Sequence, residues 1–205
     1  MNTFTEKHGS VFPKIRFLDI YMAGHKGYIA GGCFKSIFDN KKIKDLDIFF
    51  ESEKDFIEAN AYFKGNADYK HSYESAKVIA YKNEKTGIRV ELVRSTFDIP
   101  EALLKQFDFS IAKFAYIKKP TKDLDGNDSV EYITLFHVDF FEHLQCKKLV
   151  LEETILFPVS TWERSYKYRD YGFKLCKESK VNLLKALATA DLEDIANTWY
   201  EAGID

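Results

Sequence analysis

The sequence predicts an α+β fold: a mixed sheet built largely from hairpins, followed by a helical C-terminal third. Three observations carry this reading. Short apolar runs with period-two alternation recur between turn formers, and two pairs of such runs are joined by glycine-containing turns. Helical spacing of apolar residues takes over after Phe140.

Taken in order, Val11 to Met22 reads as a helix with Val11, Ile15, Leu18 and Met22 on one side. Tyr28-Ile29-Ala30 is a short strand that stops on Gly31-Gly32, and Cys33 to Phe38 begins a short helix. Asp45 to Glu51 (DLDIFFE) is a strand and Lys54 to Phe63 a helix. Val78 to Lys82 and Ile88 to Val93 form a hairpin turned by Asn83-Glu84-Lys85-Thr86-Gly87. A second hairpin pairs Phe109 to Ile117 with Val130 to His137 across KDLDGNDS. Phe140 to Leu151 is helical, Ser160 or Thr161 caps a helix that ends at Gly172, and a final helix runs from Lys180 to Tyr200.

Composition bounds the function. At 205 residues the chain suits one domain, or one catalytic module with a small appendage. A net charge of −2 rules out a global basic field for nucleic acid. The charge is uneven: basic residues dominate from Cys146 to Lys185, and Asp191, Glu193, Asp194, Glu201 and Asp205 make an acidic tail. Cys33, Cys146 and Cys176 are odd in number and scattered, which predicts a reduced, cytoplasmic protein. The start, MNTFTEKHGS, has no signal-peptide run, and no stretch approaches the roughly 18 apolar residues of a membrane span.

The chemistry concentrates in one region. Asp45 and Asp47 lie two apart on a strand, so both carboxylates share a face while Leu46, Ile48 and Phe50 point into the core. Paired carboxylates repel unless a cation lies between them, and hard oxygen ligands suit Mg²⁺ that shares its shell with substrate phosphates. Upstream, Gly31-Gly32 sits between a strand and a helix, where glycine lets the backbone approach a phosphate. Lys35, one turn further, adds a point charge. In GIRVELV, Ile88, Val90 and Leu92 take the inner face and leave Glu91 as a candidate third carboxylate; the alternative is a solvent-facing Glu91 paired with Arg89 or Arg94.

These residues resemble the head of the tRNA nucleotidyltransferase and bacterial poly(A) polymerase family, within the DNA polymerase beta-like nucleotidyltransferase superfamily. The stretch GGCFKSIFDNKKIKDLDIFF is similar to the family's Gly-Gly, short helix and DxD strand. FDFSIAKFAY resembles its second motif through Asp108, Phe109, Ser110, Ile111, Ala115 and Tyr116. RSYKYRDYGF resembles its neck helix through Arg164, Lys167, Tyr168, Gly172 and Phe173. The resemblance implies a polymerase beta-like mixed sheet as head domain, residues 1–152, and a helical neck-like segment, residues 153–205. It also implies Mg²⁺ or Mn²⁺ on Asp45, Asp47 and Glu91, and an NTP substrate held by Gly31, Gly32, Lys35, Ser36, Asp108, Arg164 and Lys167.

The departures are specific. Lys35 and Ser36 stand where the family has Arg and Asp, and Phe107 and Ala112 replace the Arg and Asn of the second motif. The positions that template the incoming base fall on Phe157, Pro158 and Thr161, which cannot pair with a base edge. About 30 residues follow Leu175, too few for the helical body that grips tRNA, which argues against CCA addition.

Other constellations are weaker. His137, Asp139, His143 and Cys146 match no common zinc spacing, and no GxSxG, HExxH or P-loop is present. His25 reads as a surface histidine near the glycine turn, Phe136, Phe140 and Phe141 as core, and Trp199 as the anchor of the last helix. The expected function is transfer of an NMP from an NTP to an acceptor hydroxyl, an RNA 3′ end or tRNA first and a protein second. The alternative is a non-catalytic nucleotide-binding or partner-binding protein on the same fold.

Overall fold

In a computed structural model of the chain, residues 3–123, 125–151 and 155–190 are described. The chain divides into two compact units, one of Met1–Lys105 with Ala112–Val138 and the other of Gln106–Ile111 with Asp139–Asp205.

The first unit contains strands β1 (Phe4–His8), β2 (Tyr28–Ala30), β3 (Asp45–Phe50), β4 (Tyr69–Glu74), β5 (Val78–Asn83), β6 (Arg89–Phe97), β7 (Phe114–Lys122) and β8 (Asp128–His137). They form one mixed sheet in the order β1-β8-β7-β2-β3-β6-β5-β4. Helices α1 (Cys33–Phe38), α2 (Glu53–Gly65) and α3 (Pro100–Gln106) intervene. Among its described strands only β3 and β6 pair in parallel, and the chain between them passes through α2 and the β4-β5 hairpin. Leu46, Ile48, Phe50, Val90 and Leu92 are fully buried, so one face of the β3-β6 pair is core and the other is left to polar residues.

Local chemistry explains the boundaries. Ser52 caps α2 by accepting the Asp55 amide at 3.2 Å. Asn83 Oδ1 accepts the amides of Lys85 and Thr86, each at 3.0 Å, and Gly87 takes φ +72°, which together close the β5-β6 turn. Residues Pro13–Met22 form a 3-10 helix where an α-helix is expected from the apolar spacing. Ile15, Leu18, Tyr21 and Met22 are buried, whereas Val11 is 56% exposed and precedes this helix. A three-residue turn stacks Ile15, Leu18 and Tyr21 on one side, with Met22 beside them.

In the first unit β1, β4 and α3 escape the sequence pattern. In β4 nothing is fully buried on either side, as befits an edge strand, so its alternation is invisible.

The second unit contains α4 (Phe140–Gln145), β9 (Lys148–Leu149), α5 (Pro158–Asp170), β10 (Lys174–Leu175) and α6 (Lys177–Ala188). The helix expected over Phe140 to Leu151 stops at Gln145, because Lys147 takes φ +53° and turns the chain into β9, parallel to β10. Phe109 is no part of the second hairpin. It bridges Leu151, and the Ser110 amide donates to the Val150 carbonyl at 3.1 Å. Pro158 opens α5. Gly172, at φ +89°, closes it: its amide donates to the Arg169 carbonyl and that of Phe173 to Tyr168, the paired bonds of a Schellman end. The helix expected from Lys180 begins at Lys177 and ends at Ala188, with Thr189 as its cap. The acidic tail, Trp199 and the stretch expected to continue to Tyr200 lie outside the described residues from 191 onward. Among the described residues no helix is long and apolar enough to cross a membrane.

Candidate active site

Strand β2 runs antiparallel to β3, with Tyr28 opposite Phe49 and Ile29 opposite Ile48. Continued, this register carries Gly31-Gly32 past the start of β3, where Asp45 and Asp47 lie. Gly31 takes φ +99°, open to glycine and strained for other residues, and its amide donates to the Phe114 carbonyl at 3.0 Å. Gly32 caps α1. The Cys33 thiol is pushed well up, first by burial and then by the charge of Asp47, so that carboxylate is felt at the first turn of α1. Lys35, 4% exposed, donates to the Ser36 hydroxyl at 3.2 Å.

The parallel pairing of β3 with β6 sets Asp45 opposite Arg89 and Asp47 opposite Glu91. By strand alternation all four share the face that the core residues leave. Arg89 ties this face together. Its Nη2 lies 2.7 Å from Asp45 Oδ1, its Nε 3.0 Å from Glu91 Oε1, and its guanidinium carbon 5.2 Å from the centre of the Tyr73 ring. Burial works against the guanidinium's charge, but Asp45 and Glu91 more than offset it, holding the group above its ordinary value. The Tyr73 phenol is pushed up to about 12 by burial and by its hydrogen bond to Glu91. Arg94 is not involved; it pairs with Glu74 at 2.8 Å.

Two carboxylates on one strand face fit a magnesium ion by type and placement, since Mg²⁺ completes its shell with water and phosphate oxygens. Among the described residues no three His, Cys, Asp or Glu side chains close into a metal cage. Arg89 already draws Asp45 and Glu91 onto itself.

Asp108, Arg164 and Lys167 belong to the second unit. Asp108 Oδ2 accepts Arg164 Nε at 2.8 Å, Arg164 Nη2 at 2.7 Å and the Thr161 hydroxyl at 3.0 Å, while Oδ1 accepts the Phe109 amide at 3.0 Å. Asp108 therefore fastens α5 to the segment that carries it. The Thr161 hydroxyl, at a templating position of the resembled family, is committed to this bond, and Phe157 is 61% exposed. Lys167 is exposed, one turn beyond Arg164.

One histidine differs from its sequence reading. His25 is buried, its Nε2 2.8 Å from the Tyr21 carbonyl and its Nδ1 accepting the Gly27 amide at 3.0 Å. His143 is buried too, and its Nδ1 meets Ser110 Oγ at 2.8 Å. Arg89 and Tyr73 are the residues that sequence reasoning undervalues. The Arg89-x-Glu91 spacing signals a shared face, but only sheet order brings Tyr73 to it.

Comparison with known proteins agrees with this architecture. A CCA-adding enzyme solved with ATP superimposes at TM-score 0.66 and 16% identity, over 94% of this chain and 48% of that one. The Thermotoga maritima CCA-adding enzyme, complexed with tRNA, gives TM-score 0.54 at 15% identity over 91% of this chain and 46% of its own. At such identity the likeness shows the fold: a mixed α+β nucleotidyltransferase sheet. The protein Gabija anti-defense 2 of Bacillus phage SPbetaL7 is 27% identical over 185 residues, 86% of this chain. This chain spans 40% of that relative's length. The model of the Gabija anti-defense 2 family matches residues 2–147, so the chain belongs to that family.

Proposed function

We propose that this chain is a metal-dependent nucleotidyltransferase that moves an NMP from an NTP to an acceptor hydroxyl. The observation that carries the proposal is the placement of Asp45 and Asp47 on one half-buried strand face beside the Gly31-Gly32 turn. The acceptor oxygen attacks the α-phosphorus, the bond to the β-phosphate breaks, pyrophosphate leaves and the hydroxyl proton is lost. Bound Mg²⁺ or Mn²⁺ would activate that hydroxyl and neutralise the leaving phosphates. Asp45 and Asp47 would hold the ion, and Glu91 would contribute the third negative charge of the face. Gly31 and Gly32 admit the triphosphate to the backbone, and Lys35 with Ser36 supplies charge and a hydroxyl behind it. In this reading residues 1–152 serve as the head. The neck-like segment 153–205 carries the cations Arg164, which Asp108 orients, and Lys167.

The templating positions Phe157, Pro158 and Thr161 lack paired donors and acceptors, so base choice does not follow the tRNA enzymes. The acceptor in this reading is an RNA 3′ end first and a protein hydroxyl second.

The test is label transfer. The protein is incubated with each α-labelled NTP, Mg²⁺ or Mn²⁺, and pooled RNA or cell protein; label should enter one acceptor pool. An Asp47→Asn variant that transfers label as fast as the parent would sink the mechanism. A second reading, a non-catalytic nucleotide-binding protein, has its own support in the ion pairs that Arg89 makes with Asp45 and Glu91. It predicts a shift in melting temperature with NTP and no label in either pool.

A further inference from the structure

The acidic face already contains a cation, Arg89, and its arrangement says what that cation is for. Glu91 is 15% exposed in its side chain and is held by Arg89 Nε at 3.0 Å and by the Tyr73 phenol. Tyr73 also lies against the guanidinium. The inner end of the planar fork is thus fixed by two partners, while its outer nitrogen reaches Asp45 at 2.7 Å, where the carboxylate is 41% exposed. A rigid guanidinium held in this way cannot slide off one carboxylate without turning about the other.

We infer that Arg89 is an internal counter-ion that competes with a divalent cation for Asp45, and that Glu91 is the positioning residue that aims it. The inference rests on the reading that Asp45 and Asp47 bind metal. Without NTP, the guanidinium neutralises Asp45 and repels an incoming dication, so the bare protein binds metal weakly. A triphosphate would bring its own oxygens and negative charge as further ligands, and Asp45 would then exchange Arg89 for the ion. The outer nitrogen of Arg89 is then available to a phosphate oxygen, the anion its fork geometry suits. Metal and nucleotide therefore bind together, each raising the other's affinity by the same factor.

The test measures Mn²⁺ binding to the whole chain without nucleotide, by the electron paramagnetic resonance signal of free Mn²⁺. The proteins are the parent, Arg89→Met, Glu91→Gln and Asp47→Asn, each first checked for parental circular dichroism. Removing the guanidinium should tighten Mn²⁺ binding about tenfold, the equivalent of one partly exposed ion pair and its repulsion of the dication. Glu91→Gln should stay within about threefold of the parent, because the lost carboxylate charge and the loosened Arg89 act in opposite directions. Arg89→Met with unchanged affinity overturns the inference. So does Glu91→Gln that loses Mn²⁺ as severely as Asp47→Asn, which would make Glu91 a metal ligand. If Mn²⁺ binding is the same in Asp47→Asn as in the parent and in Arg89→Met, the metal reading of the aspartates fails and takes this inference with it. A normal Asp47-dependent affinity with no response at Arg89 refutes the counter-ion alone.

Discussion

Replacing Asp108 by alanine tests whether this carboxylate is chiefly a structural tie. Four donors converge on it: two from Arg164, the Thr161 hydroxyl and the Phe109 amide. Arg164 is 46% exposed, so its pair is worth at most about 1 kcal/mol. Thr161 is 1% exposed, and its hydroxyl left without an acceptor costs about 1–2 kcal/mol; the Phe109 amide loses roughly another 1 kcal/mol. Together these predict a loss of roughly 3 kcal/mol, or a fall in melting temperature of about 6–12 °C for a chain of this size. Asp108→Asn keeps the shape and one acceptor oxygen and should lose only about 1 kcal/mol. The assay is urea unfolding without nucleotide, followed by tryptophan fluorescence. Trp162 lies on α5 in the second unit and reports its unfolding. If Asp108→Ala unfolds within about 0.5 kcal/mol of the parent, or Asn is as damaging as Ala, the tie does not exist.

Gly31→Ala should cost about 1–2 kcal/mol in a melting experiment, because φ +99° is strained for any side chain, and should weaken NTP binding measured calorimetrically. Stability should also fall in mild acid. Burial lowers His25 from 6.5 to about 4, so above pH 6.5 it is neutral in both states and costs nothing. As pH drops below 6.5 the unfolded chain takes the proton that the folded one refuses, and stability is lost progressively down to about pH 4, by roughly 3 kcal/mol. His25→Gln, which retains a donor and an acceptor, should flatten this part of the profile in urea melts run between pH 4 and 7. Asp47→Asn should reduce label transfer by about a hundredfold or more if the aspartate holds the catalytic ion.

The sequence by itself determined the α+β class, the glycine turn, the DLD strand and the face its aspartates share, because these follow from local backbone geometry and period-two alternation. The helix end at Gly172 was equally legible, since a left-handed residue there needs no distant partner. Some features had no local signature: the 3-10 course of Pro13–Met22, the exchange of Phe109 from a hairpin to a bridge with Leu151, and the burial of His25. Each depends on where backbone and side-chain partners arrive from elsewhere. The same holds for the acidic face. Asp45 and Asp47 could be placed together from their spacing, but whether Glu91 serves them or serves Arg89 turns on register. Only the parallel pairing of β3 with β6, and Tyr73 two strands away, bring one guanidinium between two carboxylates. Contacts of that kind are set by sheet order, which no stretch of sequence contains.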